Sequence, residues 1–208
     1  MLLAWSRGIV QWDREVKRGV WDPALARLRR TRGLTVGLVG YGRAGKLVAR
    51  KLSGWGLRTI ACGRTAPGGD DARLVEWMTL DALLPQADAV IALLPLSKAT
   101  ATLFDAARFA QMKRGALFVN VSRGGLVDNA ALLAALDSGQ LGAAALDVIA
   151  GEPDPPVAVT ADPRIITTPH IAFSSPDAIQ ELRERTVDEV LRAFRGEPAR
   201  VLVAPGSV

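Results

Sequence analysis

Gly37-Leu38-Val39-Gly40-Tyr41-Gly42-Arg43-Ala44-Gly45, GLVGYGRAG, is the stretch on which the fold turns. Its first half continues the apolar run TVGLVG of residues 35–40, and its second half opens a helix that is predicted from Arg43 to about Trp55. Three glycines between an apolar strand and a helix mark a tight strand-to-helix turn. The run does not alternate apolar with polar residues, which is the pattern of a strand covered on both faces, as in a parallel sheet. Outward from this stretch the chain repeats the same alternation. RTIAC (58–62), AVIALL (89–94), ALFVNV (116–121), AAALDVI (143–149) and RIITTP (164–169) read as further strands. A short helix near Leu80 to Leu84 and the segment DNAALLAALDSG (128–139), with Asp128 as its N-cap, read as helices between them. The expectation is an α/β fold, a doubly wound parallel sheet.

Three regions follow from this pattern. Residues 1–30 read as a helix and linker: Leu2, Leu3, Ile9, Val10 and Val16 are interleaved with charges up to about residue 22, outside the main domain, and the basic run LARLRRTRG (25–33) reads as a solvated connection. Residues 31–173 are the main domain. Residues 174–208 carry a last helix, with Ser175 before Pro176 in the preferred cap-then-proline order, running to about Arg195. The tail GEPARVLVAPGSV (196–208) is expected to be extended and loosely held.

Composition narrows the function classes. Of 208 residues 49% are hydrophobic and 23% charged, the balance of an ordinary globular protein. One cysteine, Cys62, excludes an intrachain disulfide, and with a single histidine the chain is a poor host for zinc or iron. Cys62 itself reads as a small buried hydrophobe. The net charge of +5 would permit nucleic-acid binding, but no helix-turn-helix, zinc-finger or RNP-type pattern directs it, so no nucleic-acid partner is expected. Charge enters at Arg7, too early for a signal peptide, and no apolar run is long enough for a bilayer. No membrane partner and a cytoplasmic location are therefore expected.

Gly40, Gly42 and Gly45 form a GxGxxG between strand and helix, the setting in which that pattern indicates a dinucleotide site. Gly40 permits the turn, Gly42 lets the backbone approach a pyrophosphate, and Gly45 lets the helix pack close to the sheet, while the helix N-terminus offers N–H groups and positive dipole to the phosphates. About 20 residues further on, a carboxylate is expected to accept hydrogen bonds from the adenosine ribose. Gly63 stands there, followed by Arg64 and Thr65. Without the carboxylate there is room for a 2′-phosphate, and a guanidinium can bind it in bidentate fashion, which favours NADP with NAD as the other possibility. The other reading makes Arg64 an ordinary loop arginine.

Downstream, NVSRGGLVDNAALLAAL, ALDVIAGEP and TPHIA place Arg123, Glu152 and His170, the chain's only histidine, in that order. A 2-keto acid brings a fixed negative charge and a carbonyl that becomes an alkoxide as hydride arrives; a guanidinium suits both. A histidine can deliver the proton near neutral pH, and a neighbouring carboxylate favours its acid form. Asp147 and Glu152 remain open to plainer readings, a strand-end hydrogen-bonding residue and an exposed turn acid.

Together with LPLSKATATLF (94–104) and TPHIAFSS (168–175), these stretches resemble the D-isomer-specific 2-hydroxyacid dehydrogenase family. The resemblance implies a Rossmann-type NAD(P)-binding domain and an oxidoreductase acting between NADP(H) and a small 2-keto or 2-hydroxy acid. Arg123 would hold the substrate's carboxylate and keto oxygen, His170 would exchange the proton, Glu152 would pair with His170, and Asp147 would face the nicotinamide carboxamide. Arg43, Ala44, Leu94, Pro95, Val121, Ser122 and Ala172 would complete the cofactor's surroundings, with Arg123 and His170 also touching it. The Gly63-Arg64-Thr65 segment is similar to the glyoxylate/hydroxypyruvate reductase branch. The resemblance also implies a homodimer, formed partly through residues 1–22. It further implies that the family's N-terminal substrate portion is missing, by a late-called start, a truncation or a gene in decay, with residues 174–208 a remnant of that domain and turnover impaired. A non-catalytic nucleotide-binding regulatory or scaffold module is the alternative function.

Overall fold

The computed structural model describes residues 1–200, which fall into two compact units, Met1–Pro169 and the stretch from His170 onward. In the first unit the elements run α1 (Leu2–Ser6), α2 (Ile9–Lys17), β1 (Thr35–Val39), α3 (Arg43–Leu52), β2 (Arg58–Cys62), β3 (Glu76–Trp77), α4 (Leu80–Leu83), β4 (Ala89–Ala92), α5 (Ala106–Gln111), β5 (Ala116–Asn120), α6 (Asn129–Asp137), β6 (Leu141–Leu146), α7 (Val157–Thr160) and β7 (Ile165–Thr167). Short 3-10 turns lie at Pro23–Leu25, Gly69–Leu74 and Gly124–Leu126.

Seven strands among the described residues form one sheet in the order β3-β2-β1-β4-β5-β6-β7, and every pairing is parallel. The chain runs one way from β1 to β3 and the other way from β4 to β7, so the direction reverses between β1 and β4. This is the doubly wound, Rossmann-like arrangement that the alternation of strands and helices implies. Both faces are covered. Phe118 packs with Phe104 and Phe109 on one face, with ring centroids 4.7 and 5.2 Å away, while Leu117 and Val119 turn to the other face with Leu38 and Leu52. On α3, Gly45, Ala49 and Leu52 recur at helical spacing and form its buried stripe.

Residues 1–22 differ from the single external helix that their periodicity suggests. They form two helices, broken at Gly8 in the left-handed region (φ 60°), where a Cβ would lie 2.8 Å from Trp12 Cδ1. Leu2 and Ser6 are buried, and Leu2 joins the core on the face of β1. The compact unit thus begins at Met1 rather than at residue 31. The basic run folds back as well: Arg29 N–H donates to the Ser6 carbonyl at 2.8 Å, and its guanidinium sits over the Trp5 ring at 5.0 Å. Strand ends differ by a few residues: β4 stops at Ala92, β6 occupies Leu141–Leu146, and β7 is confined to Ile165–Thr167. In the second unit α8 (Pro176–Phe194) begins as its sequence implies, with Ser175 Oγ accepting from Ala178 N–H at 3.1 Å. Residues 201–208, in the stretch expected to be an extended tail, lie outside the described residues.

Candidate active site

In a parallel sheet of this kind ligands bind beyond the carboxyl ends of the strands, at the point where strand order reverses. Gly40 follows β1 there. Its φ is 107°, and a Cβ would lie 2.6 Å from the carbonyl oxygen of Leu93, the residue following β4, so only glycine fits. A Cβ on Gly45 would lie 2.4 Å from the Gly40 carbonyl, which explains why α3 can pack against the turn only with glycine at this position. Gly42, by contrast, has no described residue beyond its chain neighbours within 4 Å of its Cβ position. The first bond closing α3 is Lys46 N–H to Gly42 carbonyl at 3.0 Å, so the N–H groups of Arg43, Ala44 and Gly45 have no acceptor within the helix. Open space over Gly42 beside uncommitted N–H groups at a helix start is a cradle that fits a pyrophosphate.

Gly63, Arg64 and Thr65 follow β2 and are exposed. A Cβ at Gly63 would stand 3.2 Å from Trp77 Cη2 and 3.4 Å from Tyr41 N, so Trp77 and the glycine-rich turn crowd the place where an acid is expected. Cys62, just before, is buried, and burial pushes its thiol up to about 11; it stays a neutral thiol at physiological pH.

Leu94 and Pro95 follow β4, where the Thr100 hydroxyl donates to the Pro95 carbonyl at 2.7 Å and accepts from Ser97 N–H at 2.8 Å. Val121, Ser122 and Arg123 follow β5. Their conformation is set by Asn120, fully buried, whose Oδ1 accepts from Ser122 N–H at 3.1 Å and whose Nδ2 donates to the Arg123 carbonyl at 2.9 Å. The Ser122 hydroxyl donates to the Ala92 carbonyl at 2.9 Å, tying this loop to β4. The Arg123 side chain is exposed and donates to the Ser122 carbonyl at 2.7 Å. Sequence reasoning passed over Asn120, although a buried amide at a strand end is a signal in its own right. Gly124 is also required: a Cβ there would lie 2.2 Å from the Ile149 carbonyl carbon, so the Arg123 loop and the loop bearing Glu152 touch backbone to backbone.

Asp147 follows β6, buried, with its N–H donating to the Asn120 carbonyl at 2.9 Å and its Oδ1 accepting from the Thr168 hydroxyl at 2.6 Å. Glu152 is exposed and its Oε1 accepts from Ile149 N–H at 3.0 Å. In the first unit, then, Gly40, Gly42, Arg43, Ala44, Gly45, Gly63, Arg64, Thr65, Leu94, Pro95, Val121, Ser122, Arg123 and Asp147 share the carboxyl ends of the strands, with Glu152 on the loop after β6. His170 and Ala172 belong to the second unit. His170 opens it with φ 55°, uncommon for a residue with a side chain, and its ring meets Phe173 edge-on at 6.1 Å.

Residues 1–172 match the family described as D-isomer specific 2-hydroxyacid dehydrogenase, NAD binding domain. The chain is 35% identical over 213 residues to a glycerate dehydrogenase of Methylorubrum extorquens, covering 98% of this chain and 66% of that protein. Among solved structures it resembles an NADPH-dependent glyoxylate/hydroxypyruvate reductase of Sinorhizobium meliloti in complex with NADP and sulfate, at TM-score 0.86 and 31% identity, over 100% of this chain and 66% of that one. It also resembles a D-lactate dehydrogenase of Lactobacillus jensenii with NAD+, at TM-score 0.86 and 27% identity, over 98% and 66%. The chain spans about two thirds of the length of these relatives. Among the described residues no helix is long and apolar enough to cross a membrane.

Proposed function

Because the chain belongs to the D-isomer-specific 2-hydroxyacid dehydrogenase family, by its NAD-binding domain, we propose that it is the cofactor-binding part of an NADP-dependent reductase of small 2-keto acids, of the glyoxylate or hydroxypyruvate kind. The observation that carries the cofactor choice is the end of β2. Gly63 offers no carboxylate to a ribose hydroxyl, Trp77 crowds its Cβ position, and Arg64 and Thr65 stand exposed beside it. A guanidinium binds a phosphate through paired, charge-assisted hydrogen bonds, whereas NADH would find no acid there.

The nicotinamide supplies a hydride; the protein's residues do the rest. The N–H groups of Arg43, Ala44 and Gly45 at the start of α3 would hold the pyrophosphate, and Asp147 would accept from the carboxamide. Arg123 orients the keto acid through its carboxylate and stabilises the oxygen that gains charge. The family resemblance assigns to His170 the delivery of a proton to that oxygen. The assembly unit is a homodimer.

The test is a fluorescence titration of the chain with NADPH and NADH, for the parent and Arg64→Ala. NADPH is expected to bind more tightly, by about tenfold or more, the scale of one charge-assisted phosphate contact, with the advantage lost in the mutant. Equal affinities in the parent would overturn the cofactor assignment.

A further inference from the structure

The segment that follows Arg64 is softly built, with Leu74 packed against the core at its far end and its polar ties gathered at one residue. Gly68 and Gly69 have no described residue beyond their chain neighbours within 4 Å of their Cβ positions, and Gly69 adopts φ +59°. Gly69 opens the 3-10 turn Gly69–Leu74, which lies alongside α3. Among the described residues, the hydrogen bonds and ion pairs that tie residues 64–74 to the rest of the unit converge on Asp71. Its Oδ1 accepts from Arg50 Nη2 at 2.8 Å, its Oδ2 lies 3.1 Å from Lys46 Nζ, and its carbonyl accepts from the Tyr41 hydroxyl at 3.0 Å. The Asp71 side chain is only 13% exposed, while its partners Lys46 and Arg50 are 41% and 58% exposed. The Arg50 guanidinium and Lys46 ammonium hold its carboxyl below the usual carboxylate range, so the pairs persist at neutral pH.

Tyr41 is the residue between Gly40 and Gly42, and Lys46 and Arg50 stand on α3, the helix capped by Gly42. Asp71 therefore joins the loop after β2 to both parts of the phosphate cradle. Ion pairs of partly exposed side chains contribute little to folding stability. Their effect here is on position: a loop arginine binds a phosphate well only if the loop is already in place, because ordering it on binding costs entropy.

We propose that Asp71 is a positioning residue for recognition of the 2′-phosphate, fastening the Arg64 loop to the glycine-rich turn through Tyr41 and to α3 through Lys46 and Arg50. The proposal rests on the NADP reading given above. It assigns part of the cofactor preference to a carboxylate that touches no phosphate.

The experiment measures dissociation constants of the full chain for NADPH and NADH, in the parent, Arg64→Ala, Asp71→Asn and Tyr41→Phe, with melting temperatures alongside. Asp71→Asn is expected to reduce the NADPH-over-NADH preference by about five- to tenfold, part of the value of a charge-assisted hydrogen bond, while NADH affinity stays within about twofold. Tyr41→Phe, which keeps every charge, is expected to shift the ratio the same way by less, and it decides the matter if Asp71→Asn does not fold. An equal loss for both cofactors would mean a merely structural role and overturn the proposal. So would a raised preference, which would mean that freed Lys46 and Arg50 bind the phosphate better than the held loop does. If Arg64→Ala leaves the ratio unchanged, the NADP reading itself fails; if Arg64→Ala abolishes it and Asp71→Asn does not move it, only the positioning role fails.

Discussion

Gly63 shows how one missing side chain constrains its neighbours. Supplying the absent acid by Gly63→Asp gives a carboxylate to the ribose, yet its Cβ must enter a space 3.2 Å from Trp77 and 3.4 Å from the Tyr41 backbone. Overpacking of this kind costs about 1–3 kcal/mol. The expected outcome is a lowered melting temperature without a gain in NADH affinity, and recovery of both when Trp77 is also cut to leucine. Tight NADH binding by Gly63→Asp alone would show that Trp77 yields freely. Asn120 carries a second prediction. Asn120→Ala leaves the Ser122 N–H and Arg123 carbonyl without their partner at a part-buried loop, which should cost about 1 kcal/mol in denaturant unfolding. A change below about 0.5 kcal/mol would mean that the loop finds other partners. Arg123 could be singled out from its charge and motif, whereas Asn120 acts through two backbone groups whose proximity exists only after the strand has folded.

At the scale of elements, the parts that could be read from the sequence are those long enough to show a period or bearing a cap. Asp128 accepts from Ala130 N–H at 2.9 Å and Ala131 N–H at 3.2 Å, so α6 starts where its sequence says. Asp128→Ala should lower stability by about 1 kcal/mol, measured by chemical unfolding, and an unchanged midpoint would show that α6 is held by packing alone. The parts that escaped are short. Glu76–Trp77 makes a strand of 2 residues, below any period, and exists because Ile60 and Ala61 already offer an edge. The six residues of α5 are recognisable chiefly by the cap Asp105, whose Oδ1 accepts from Arg108 N–H at 2.9 Å. The break at Gly8 is a tertiary effect: Leu2 and Ser6 turn inward, while Ile9 and Val16 on the next helix stay exposed. A hydrophobic pattern alone does not separate two helices sharing one amphipathic stretch.

Over the whole molecule, Leu3, Ile9, Val16, Trp21, Leu25 and Leu28 are exposed apolar side chains within the first 28 residues. The family resemblance implies a second copy of the chain against this region. Light scattering on the purified chain is expected to give twice the mass of one chain, and Trp21→Glu with Ile9→Glu is expected to shift it toward the monomer; a parent that is monomeric at micromolar concentration would remove the dimer from the account. The direction of the sheet has a further consequence. The residues assigned to chemistry in the first unit sit on loops or at the start of α3, beyond the carboxyl ends of β1, β2, β4, β5 and β6, while Phe104, Phe109, Phe118, Leu132 and Leu141 carry the packing. Melting behaviour and cofactor choice are then inherited through largely separate sets of positions. A lineage can trade one substrate for another at the loop ends without renegotiating its core, and it can drift in the core without changing what it recognises. Gly63, against the Trp77 ring, and Asn120, through its amide, already tie the two sets together, and Gly40, Gly45 and Gly124 do so backbone to backbone, so that at these positions the freedom to vary either property alone comes to an end.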